Sequence, residues 1–216
     1  VQDVADLKRW IAAAHAEGTV AVDTETTSLN AMRADLVGVS MSVAPGKACY
    51  IPLGHTAGEA QGNLLGGSDG GEDGPKQIPR DEALALLKPL LEDPSVLKVL
   101  HNTKYDALVL ARETNGGIAL GPVDDTMCIS YVLEGGMHGH GLDDLSELHF
   151  DHTNIKFADV CGKGKTQIPF SDVALEKALD YAAEDADMTI RLHRKLRPEL
   201  PKAGLSTVYE TLERPL

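Results

Sequence analysis

Two carboxylates at the end of an apolar segment are the first candidates for chemistry. Asp23 and Glu25 follow the β-branched run at residues 19–22, which predicts a buried strand. Strand side chains alternate, so both carboxylates face the same side of a sheet. Adjacent acids repel in an apolar core, and a divalent cation between them would relieve that repulsion. Taken alone, the motif is better explained by a turn that Asp23 caps and by a solvated Glu25.

A third acid lies in a second motif. Residues 97–101 predict a strand, and the helical pattern that follows places Asp106 in its first turn. Asn102 or Thr103 is expected to cap that helix. A carboxylate in the first turn is favoured by the helix dipole, and the space beyond a strand end is where open sheets bind ligands. The alternative is an acid that only completes a capping box.

The third motif pairs a tyrosine with an acid. Apolar residues at three- and four-residue spacing predict a helix over 171–196. Tyr181 and Asp185 are four residues apart and therefore share one face of it. Taken alone, the pair is explained by a structural hydrogen bond. The neighbouring acids are expected to be solvated helix charges: Asp180, Glu184 and Asp187.

Three motifs in this order resemble the exonuclease motifs of the DEDD superfamily, in its tyrosine-containing variant: Val22-Asp-Thr-Glu-Thr26, Asn102-x-x-Tyr-Asp106 and Tyr181-x-x-x-Asp185. Asp125-Thr-Met127 and Gly162-Lys-Gly-Lys165 extend the likeness to the proofreading domain of bacterial DNA polymerase I, from about Val4 to Leu216. The resemblance implies a ribonuclease H-like fold and a metal-dependent 3′-5′ exonuclease.

The resemblance also implies the catalytic roles. Asp23, Glu25 and Asp185 would bind one divalent ion, and Asp23 would bridge to a second ion supported by Asp106. Mg²⁺ or Mn²⁺ is expected, with Zn²⁺ as an alternative at one position. The ions would activate a water and stabilise the leaving 3′ oxygen. Tyr181 would orient that water, because a phenol with a pKa of about 10 is a weak base at neutral pH.

Contacts to the end of a single strand follow from the same resemblance. The predicted substrate-binding residues are Thr24, Leu29, Met32, Asn102, Lys104, Tyr105, His140 and Phe170. One departure is Gly139: relatives often carry an arginine directly before the stretch that reads His140-Gly-Leu-Asp143 in this chain. The phosphate contact is then either missing or passed to His140, which would weaken binding or turnover without abolishing the chemistry.

The predicted fold class is α/β, a mixed central sheet flanked by helices. Strands are predicted at 19–24, 36–43, 47–52, 97–101 and 119–123, after a first helix at 3–16. Short connections between the first three strands indicate antiparallel neighbours, and the later alternation with helices indicates parallel additions. This order is consistent with the ribonuclease H-like fold that the resemblance implies.

The charge of the chain argues against an independent grip on nucleic acid. Twenty basic and 33 acidic residues give a net charge of −13 at pH 7, whereas proteins that hold nucleic acid unaided usually display a basic face. We therefore expect local contacts to the terminal phosphates from the ions, Lys104 and the loop at 162–165. A neighbouring polymerase domain would hold the duplex.

The predicted domain organisation is an exonuclease domain at 1–205, with the start of a truncated polymerase domain at 206–216. Within the first, residues 56–77 are rich in glycine and acids and predict a mobile loop. A 5′ nuclease domain upstream is a further expected partner. Three scattered cysteines predict packed thiols in a reducing compartment. No apolar segment is long enough to span a membrane, so we expect a monomer in the bacterial cytoplasm, associated with the nucleoid.

The primary hypothesis is a two-metal 3′-5′ exonuclease that hydrolyses the terminal phosphodiester of single-stranded or frayed DNA, as the proofreading module of a DNA polymerase I. One alternative is an exoribonuclease of the ribonuclease D type, which shares the acids and the tyrosine. Another is a catalytically silent spacer within a polymerase. The intact acids Asp23, Glu25, Asp106 and Asp185 argue against the spacer.

Overall fold

The sheet consists of five strands in the order β3-β2-β1-β4-β5. The computed structural model describes residues 1–56 and 75–215. The strands are β1 (Thr19–Thr26), β2 (Leu36–Ala44), β3 (Lys47–Pro52), β4 (Leu97–Leu100) and β5 (Val123–Asp125). β2 pairs antiparallel with β1 and β3, whereas β4 pairs parallel with β1 and β5. The predicted mixed sheet is therefore confirmed.

Helices flank this sheet. The longer ones are α1 (Val4–Glu17), α2 (Arg80–Leu91), α3 (Thr103–Ala111), α4 (Thr126–Glu134), α5 (Leu142–Phe150), α6 (Phe157–Cys161) and α7 (Leu175–Leu196), followed by α8 (Glu199–Lys202) and α9 (Ser206–Val208). A π-helical turn at Tyr209–Glu213 continues α9, and 3₁₀ turns lie at Glu113–Asn115, Gly164–Thr166 and Phe170–Asp172. Helix α1 begins after Asp3, whose carboxylate accepts the Asp6 amide.

Alternation along β1 separates the two faces of the sheet. Val22 packs in the cluster formed with α1, α2 and α3, whereas Ala21 packs against Ile190 of α7. Because successive side chains point to opposite faces, Asp23 and Glu25 continue the Ala21 side. The two carboxylates of the first motif therefore face the helix that carries the third motif.

The predicted strand at 119–123 is wrong in position. Pairing with β4 begins at Val123, opposite Lys98. Pro122 has no N–H to give to a ladder, and it contributes only its carbonyl, which accepts the Lys98 amide. The fifth strand therefore starts at the residue after the proline.

Helix α7 begins later than the predicted residue 171. A 3₁₀ turn occupies Phe170–Asp172, and Val173 has extended backbone before the helix starts. Phe170 and Val173 are both buried, in a cluster that includes Tyr50 of β3. The break is favoured over a continuous helix because it lets both apolar side chains enter the core.

Two of the acids on α7 are not the solvated charges that were predicted. Glu184 accepts hydrogen bonds from His152 and from the amide of Ile155. Asp187 accepts the amide of Gly46 and the side chain of Arg191. Asp180 is exposed, as predicted. The outer face of α7 is covered by neighbouring loops, a tertiary feature that its own sequence does not reveal.

The predicted loop at 56–77 falls largely outside the described residues, which omit 57–74. At its described ends, the Thr56 amide donates to the Ser171 carbonyl, and the Gln77 side chain exchanges two hydrogen bonds with the His55 backbone. Its mobility stays a prediction.

The described helices and the three cysteines agree with the absence of a membrane-spanning segment and of a disulfide framework in the sequence. Among the helices described, none is both long and apolar enough to cross a bilayer. Cys49 and Cys161 are buried free thiols, and Cys128 is a half-buried one. The prediction of packed thiols is confirmed.

Candidate active site

Carboxylates from β1 and α7 meet at one end of the sheet. One ligand atom each from Asp23, Glu25 and Asp185 lies within 4.8 Å of the others. β1 places the first two acids on one face, and α7 crosses that face with the third. Glu25 is buried, and Asp23 and Asp185 are half-buried. Three of the four predicted acids therefore form one cluster.

Asp106 reaches the same stretch of β1 from α3. Its Oδ1 accepts the amide of Thr24 at 3.1 Å and the Thr24 hydroxyl at 2.6 Å. The parallel ladder between β1 and β4 ends at Ala21, so beyond it the Thr24 amide bonds to a carboxylate rather than to a strand. Since Thr24 lies between Asp23 and Glu25, the fourth acid is fixed beside the cluster, although it is not one of the three within 4.8 Å.

Within residues 1–56 and 75–215, the four acids have no basic partners. None of the salt bridges formed by the described residues involves them. Burial raises the pKa of Asp23 to about 7. Burial, and next the charge of Asp23, raise the pKa values of Glu25, Asp106 and Asp185 well above their ordinary range. Crowded, unpaired carboxylates are the oxygen ligands that hard divalent cations prefer, so the donor set fits Mg²⁺ or Mn²⁺.

Tyr181 lies one helical turn before Asp185, among aromatic rings. Its ring centroid is 5.8 Å from that of Phe170 and 6.3 Å from that of Phe157. Burial, and next the charge of Asp185, raise the pKa of Tyr181 far above its ordinary value. The hydroxyl therefore stays protonated at neutral pH, where it can donate a hydrogen bond but cannot remove a proton.

A glycine in β2 makes room for a second tyrosine beside the acids. Gly38 pairs with Glu25 across the two strands, and a Cβ at Gly38 would lie 2.1 Å from the Tyr50 hydroxyl. That hydroxyl bonds to His55 Nε2 at 2.7 Å. Neither Tyr50 nor His55 was predicted as a site residue. The available signal was Gly38 itself, because a glycine inside a strand often marks a close approach.

A cleft of about 530 Å³ opens beside the cluster. Glu25 and Tyr181 line it, and apolar side chains form much of the rest. Leu29 is 97% exposed, Phe157 42% and Ile168 40%. Exposed apolar side chains next to a polar floor suit a ligand with flat apolar faces. Phe157 and Ile168 were not predicted, because nothing in a single sequence separates them from ordinary loop residues.

The predicted substrate-binding residues fall into two groups. Those lining the cleft are Thr24, Leu29, Tyr105 and Phe170; those that do not line it are Met32, Asn102, Lys104 and His140. Phe170 is only 2% exposed, so it supports the Tyr181 ring instead of presenting a free face. The Tyr105 hydroxyl bonds to the carbonyl of Ser28 and to Thr26. This tyrosine therefore fixes the loop on which Leu29 lies.

Residues away from the cleft have other surroundings. His140 Nδ1 pairs with the Ser130 hydroxyl, and its ring packs edge-on against Tyr131 of α4. Met32 is 66% exposed, and Lys104 and Asn102 are exposed. Their contacts with a substrate stay predictions.

Asn102 or Thr103 was predicted to cap α3, but the cap comes from another residue. Asp125, at the end of β5, accepts the Thr103 amide at 2.8 Å and the Asn102 amide at 3.2 Å. Asn102 has a left-handed φ of 68° and makes no side-chain cap, a conformation that asparagine tolerates. Asp125 also caps α4, where it accepts the amides of Met127 and Cys128. Its cap on a second helix depends on the parallel pairing of β4 and β5.

Comparison with known sequences identifies a family. The 3′-5′ exonuclease family matches residues 1–201. DNA polymerase I of Rhizobium leguminosarum is 51% identical over 225 residues, covering 100% of this chain and 21% of that protein. The chain therefore spans about a fifth of the length of this relative.

Comparison with solved structures extends this likeness to the fold. Brucella melitensis NrnC with bound Mg²⁺ gives a TM-score of 0.62 at 26% identity, covering 89% of this chain and 78% of that one. Escherichia coli RNase D, an exoribonuclease involved in structured RNA processing, gives a TM-score of 0.67 at 19% identity, covering 97% and 46%. The predicted ribonuclease H-like fold is confirmed.

Proposed function

The chain belongs to the 3′-5′ exonuclease family found in bacterial DNA polymerase I, and from this premise we propose that it removes nucleotides from the 3′ end of single-stranded or frayed DNA. The observation that carries the proposal is the convergence of Asp23, Glu25 and Asp185 within 4.8 Å. Asp106 is hydrogen-bonded to the strand between two of them. Such a group without basic partners is poorly explained as structure and well explained as a cation site.

The proposed roles follow from the positions of the side chains. Asp23, Glu25 and Asp185 would hold one divalent ion, and Asp106 with Asp23 would hold a second. Mg²⁺, present in the NrnC structure, and Mn²⁺ fit the all-carboxylate donors, with Zn²⁺ an alternative at one position. When bound, such ions supply the charge that activates water and stabilises the leaving 3′ oxygen. The Tyr181 hydroxyl, protonated at neutral pH, would donate a hydrogen bond that orients the attacking water.

The cleft would receive the end of the strand. Leu29, Phe157 and Ile168 offer apolar surface on which terminal bases can stack, and the scissile phosphate would approach the acids near Thr24. Contacts from Met32, Asn102, Lys104, Tyr105, His140 and Phe170 complete the proposed binding set. Because the ends of mispaired primers fray more readily, such a site would act on them preferentially.

The proposed context is the proofreading part of a larger polymerase. Residues 1–205 would form the exonuclease unit, with a polymerase domain beginning at 206–216 and a 5′ nuclease domain upstream. A net charge of −13 over the whole chain leaves little general attraction for DNA. A neighbouring polymerase domain would then supply most of the grip on the duplex.

The test is a degradation assay that compares the loss of a proposed metal ligand with the loss of an exposed acid. The protein is incubated with a 5′-labelled single-stranded DNA oligomer and Mg²⁺ or Mn²⁺, beside an RNA oligomer of the same sequence. Asp23→Ala is expected to abolish the ladder of shortened products, because it removes a proposed ligand of both ions. Asp180→Ala, an exposed acid on α7, is the matched control and is expected to keep full activity. A chelator should stop degradation of the oligomer by the wild-type protein.

Other outcomes would contradict the proposal. Preference for the RNA oligomer would identify an exoribonuclease of the ribonuclease D type. No product from either oligomer with either metal would identify a silent spacer.

A further inference from the structure

A buried tyrosine beyond α7 is joined to the end of the edge strand. Tyr209 is fully buried, and its ring packs among apolar residues of α4, α5 and α7. Its hydroxyl donates to Oδ1 of Asp124 at 3.0 Å and accepts the amide of Asp125 at 2.9 Å. β5 is the edge of the sheet, and no strand in the described part of the chain lies beyond it to pair with that amide. The tyrosine hydroxyl takes the place of a neighbouring strand.

The amide that Tyr209 holds belongs to the residue that caps two helices. The Asp125 carboxylate accepts the amides of Met127 and Cys128 at the start of α4. It also accepts the amides of Asn102 and Thr103 at the start of α3. A shift in the Asp125 backbone would therefore move the first turn of α3 relative to the sheet.

The first turn of α3 carries an acid of the active site. Asp106 is three residues after Thr103, and its carboxylate is bonded to the amide and hydroxyl of Thr24. An unbroken series of hydrogen bonds and one helical turn thus connects Tyr209 to the strand between Asp23 and Glu25. Each of its links is 3.2 Å or shorter.

We propose that Tyr209 is a positioning residue for the exonuclease site, whose hydroxyl fixes the end of β5 and thereby the Asp125 cap, the first turn of α3 and Asp106. Its effect on rate rests on the proposed function, whereas its effect on α3 does not. Asp124 itself keeps His193 and Arg197 as partners without the tyrosine. Among the described residues, the Asp125 amide has only the hydroxyl as a partner, so this is the link that the tyrosine alone supplies.

Tyr209→Phe tests the link because it removes the hydroxyl and keeps the ring. A buried amide left without a partner destabilises the backbone that carries it. We expect amide hydrogen exchange at Asn102 and Thr103, followed by NMR, to become about tenfold faster, which corresponds to about 1.4 kcal/mol. On a single-stranded DNA oligomer with Mg²⁺, kcat should fall about three- to tenfold, with KM changed less than about twofold.

The matched control is Leu200→Ala, which removes packing from the same apolar cluster but no hydrogen bond of the series. Both variants are assayed at a temperature where circular dichroism shows each to be fully folded. The control should leave exchange at Asn102 and Thr103 and the value of kcat within about twofold of wild type.

A second variant interrupts the next link. Asp125→Asn weakens the cap without touching the cluster around Tyr209, and it should reproduce the faster exchange and lower kcat. Tyr209→Phe should then have less than about twofold further effect in the Asp125→Asn background, since both changes act through one path. If Tyr209→Phe does not fold, Asp125→Asn alone decides the outcome.

Three results would overturn the proposal. Unchanged exchange at Asn102 and Thr103 in Tyr209→Phe or Asp125→Asn would remove the link to α3. Faster exchange with an unchanged kcat would show that the link does not serve catalysis. Equal effects in Leu200→Ala would reduce Tyr209 to a packing residue. If wild type lacks nuclease activity, the proposed function fails, and the exchange measurement still decides the link.

Discussion

Two acidic sites in this chain, the single carboxylate of Asp124 and the cluster around Asp23, have pKa values shifted in opposite directions. Asp124 accepts hydrogen bonds from His193 at 2.8 Å, Arg197 at 3.0 Å and Tyr209 at 3.0 Å. Burial by itself raises the pKa of Asp124, but the hydrogen bond and charge of His193, together with Arg197, outweigh burial and bring the pKa below its ordinary value. At the cluster around Asp23, burial acts without such partners, and the pKa values rise.

The difference separates an acid that stabilises the fold from acids kept for chemistry. A buried carboxylate with paired cations is bound into the structure, and removing it leaves their charges unpaired. A buried group of carboxylates without cations stores repulsion that a bound metal ion removes. Partners, rather than burial, therefore distinguish the structural acid of this chain from those of its candidate site.

The largest effect is expected at the paired acid. Asp124→Asn should lower the free energy of unfolding by about 3–5 kcal/mol at pH 7, because Arg197 loses its counter-charge and His193 loses the carboxylate partner of its hydrogen bond. Since the pKa of Asp124 is lowered on folding, this stabilisation is present above the ordinary carboxyl value of 3.8 and is lost as pH falls through the folded value. Urea denaturation across pH 3–7 measures it.

Glu199→Gln provides the control, because Glu199 forms an exposed pair with Lys202 and should cost less than about 1 kcal/mol. If both variants lose equal stability, Asp124 is not a structural centre.

At the unpaired cluster, removing a proposed ligand should affect rate more than folding. Asp185→Ala is expected to lower kcat on single-stranded DNA by about 100-fold or more. Even residues that only hydrogen-bond to metal ligands typically change metal affinity or activity by about 10- to 100-fold. Isothermal titration with Mn²⁺ should show weakened binding. Wild-type rate and wild-type Mn²⁺ affinity in this variant would remove Asp185 from the proposed site.

Neutralising the cluster should stabilise the metal-free protein. The pKa of Asp23 is about 7 when folded against an ordinary 3.8, so between these values the folded state keeps a proton that the unfolded state releases. Stability should therefore fall as pH rises from about 4 to 7, and Asp23→Asn should recover about 2 kcal/mol near pH 7. Urea unfolding with EDTA measures the gain.

Two comparisons make this prediction sharper. Asp180→Asn, an exposed acid, should give no gain at any pH. Saturating Mg²⁺ should stabilise the wild type and have a smaller effect on Asp23→Asn, because the ion binds only the folded state. A stability gain that persists below pH 4 would contradict the electrostatic explanation.

The smallest effect is expected from the tyrosine beside the cluster. Tyr181→Phe keeps the ring among Phe170 and Phe157 and leaves the carboxylates intact, so Mn²⁺ affinity should be unchanged. Losing one water-orienting hydrogen bond should lower kcat about fivefold, or about 1 kcal/mol. A loss as large as that of Asp185→Ala would assign Tyr181 a direct part in holding the metal.

Local patterns were sufficient to predict much of this arrangement. The alternation of β1 placed Asp23 and Glu25 on one side, and four-residue spacing placed Tyr181 and Asp185 on one helix face. These inferences depend only on the periods of strand and helix, and the three acids do meet within 4.8 Å. The antiparallel pairing of the first three strands followed from the short connections between them.

Features that depend on contacts between distant segments could not be predicted in this way. The cap of α3 is supplied by Asp125, 22 residues after Thr103. The start of α7 is set by the burial of Phe170 beside Tyr50, and Glu184 is held by His152. In each case the local sequence is compatible with several structures, and tertiary packing selects one.

The two-sided character of β1 limits which changes of length this protein can tolerate. A one-residue insertion between Gly18 and Asp23 would exchange the two faces of the strand beyond it, because strand side chains repeat every two residues. The carboxylates would enter the apolar layer under α1 and α2, and Val22 would replace them opposite α7. Substitutions in this segment can have small or large effects, whereas insertions and deletions of a single residue should be absent from functional homologues.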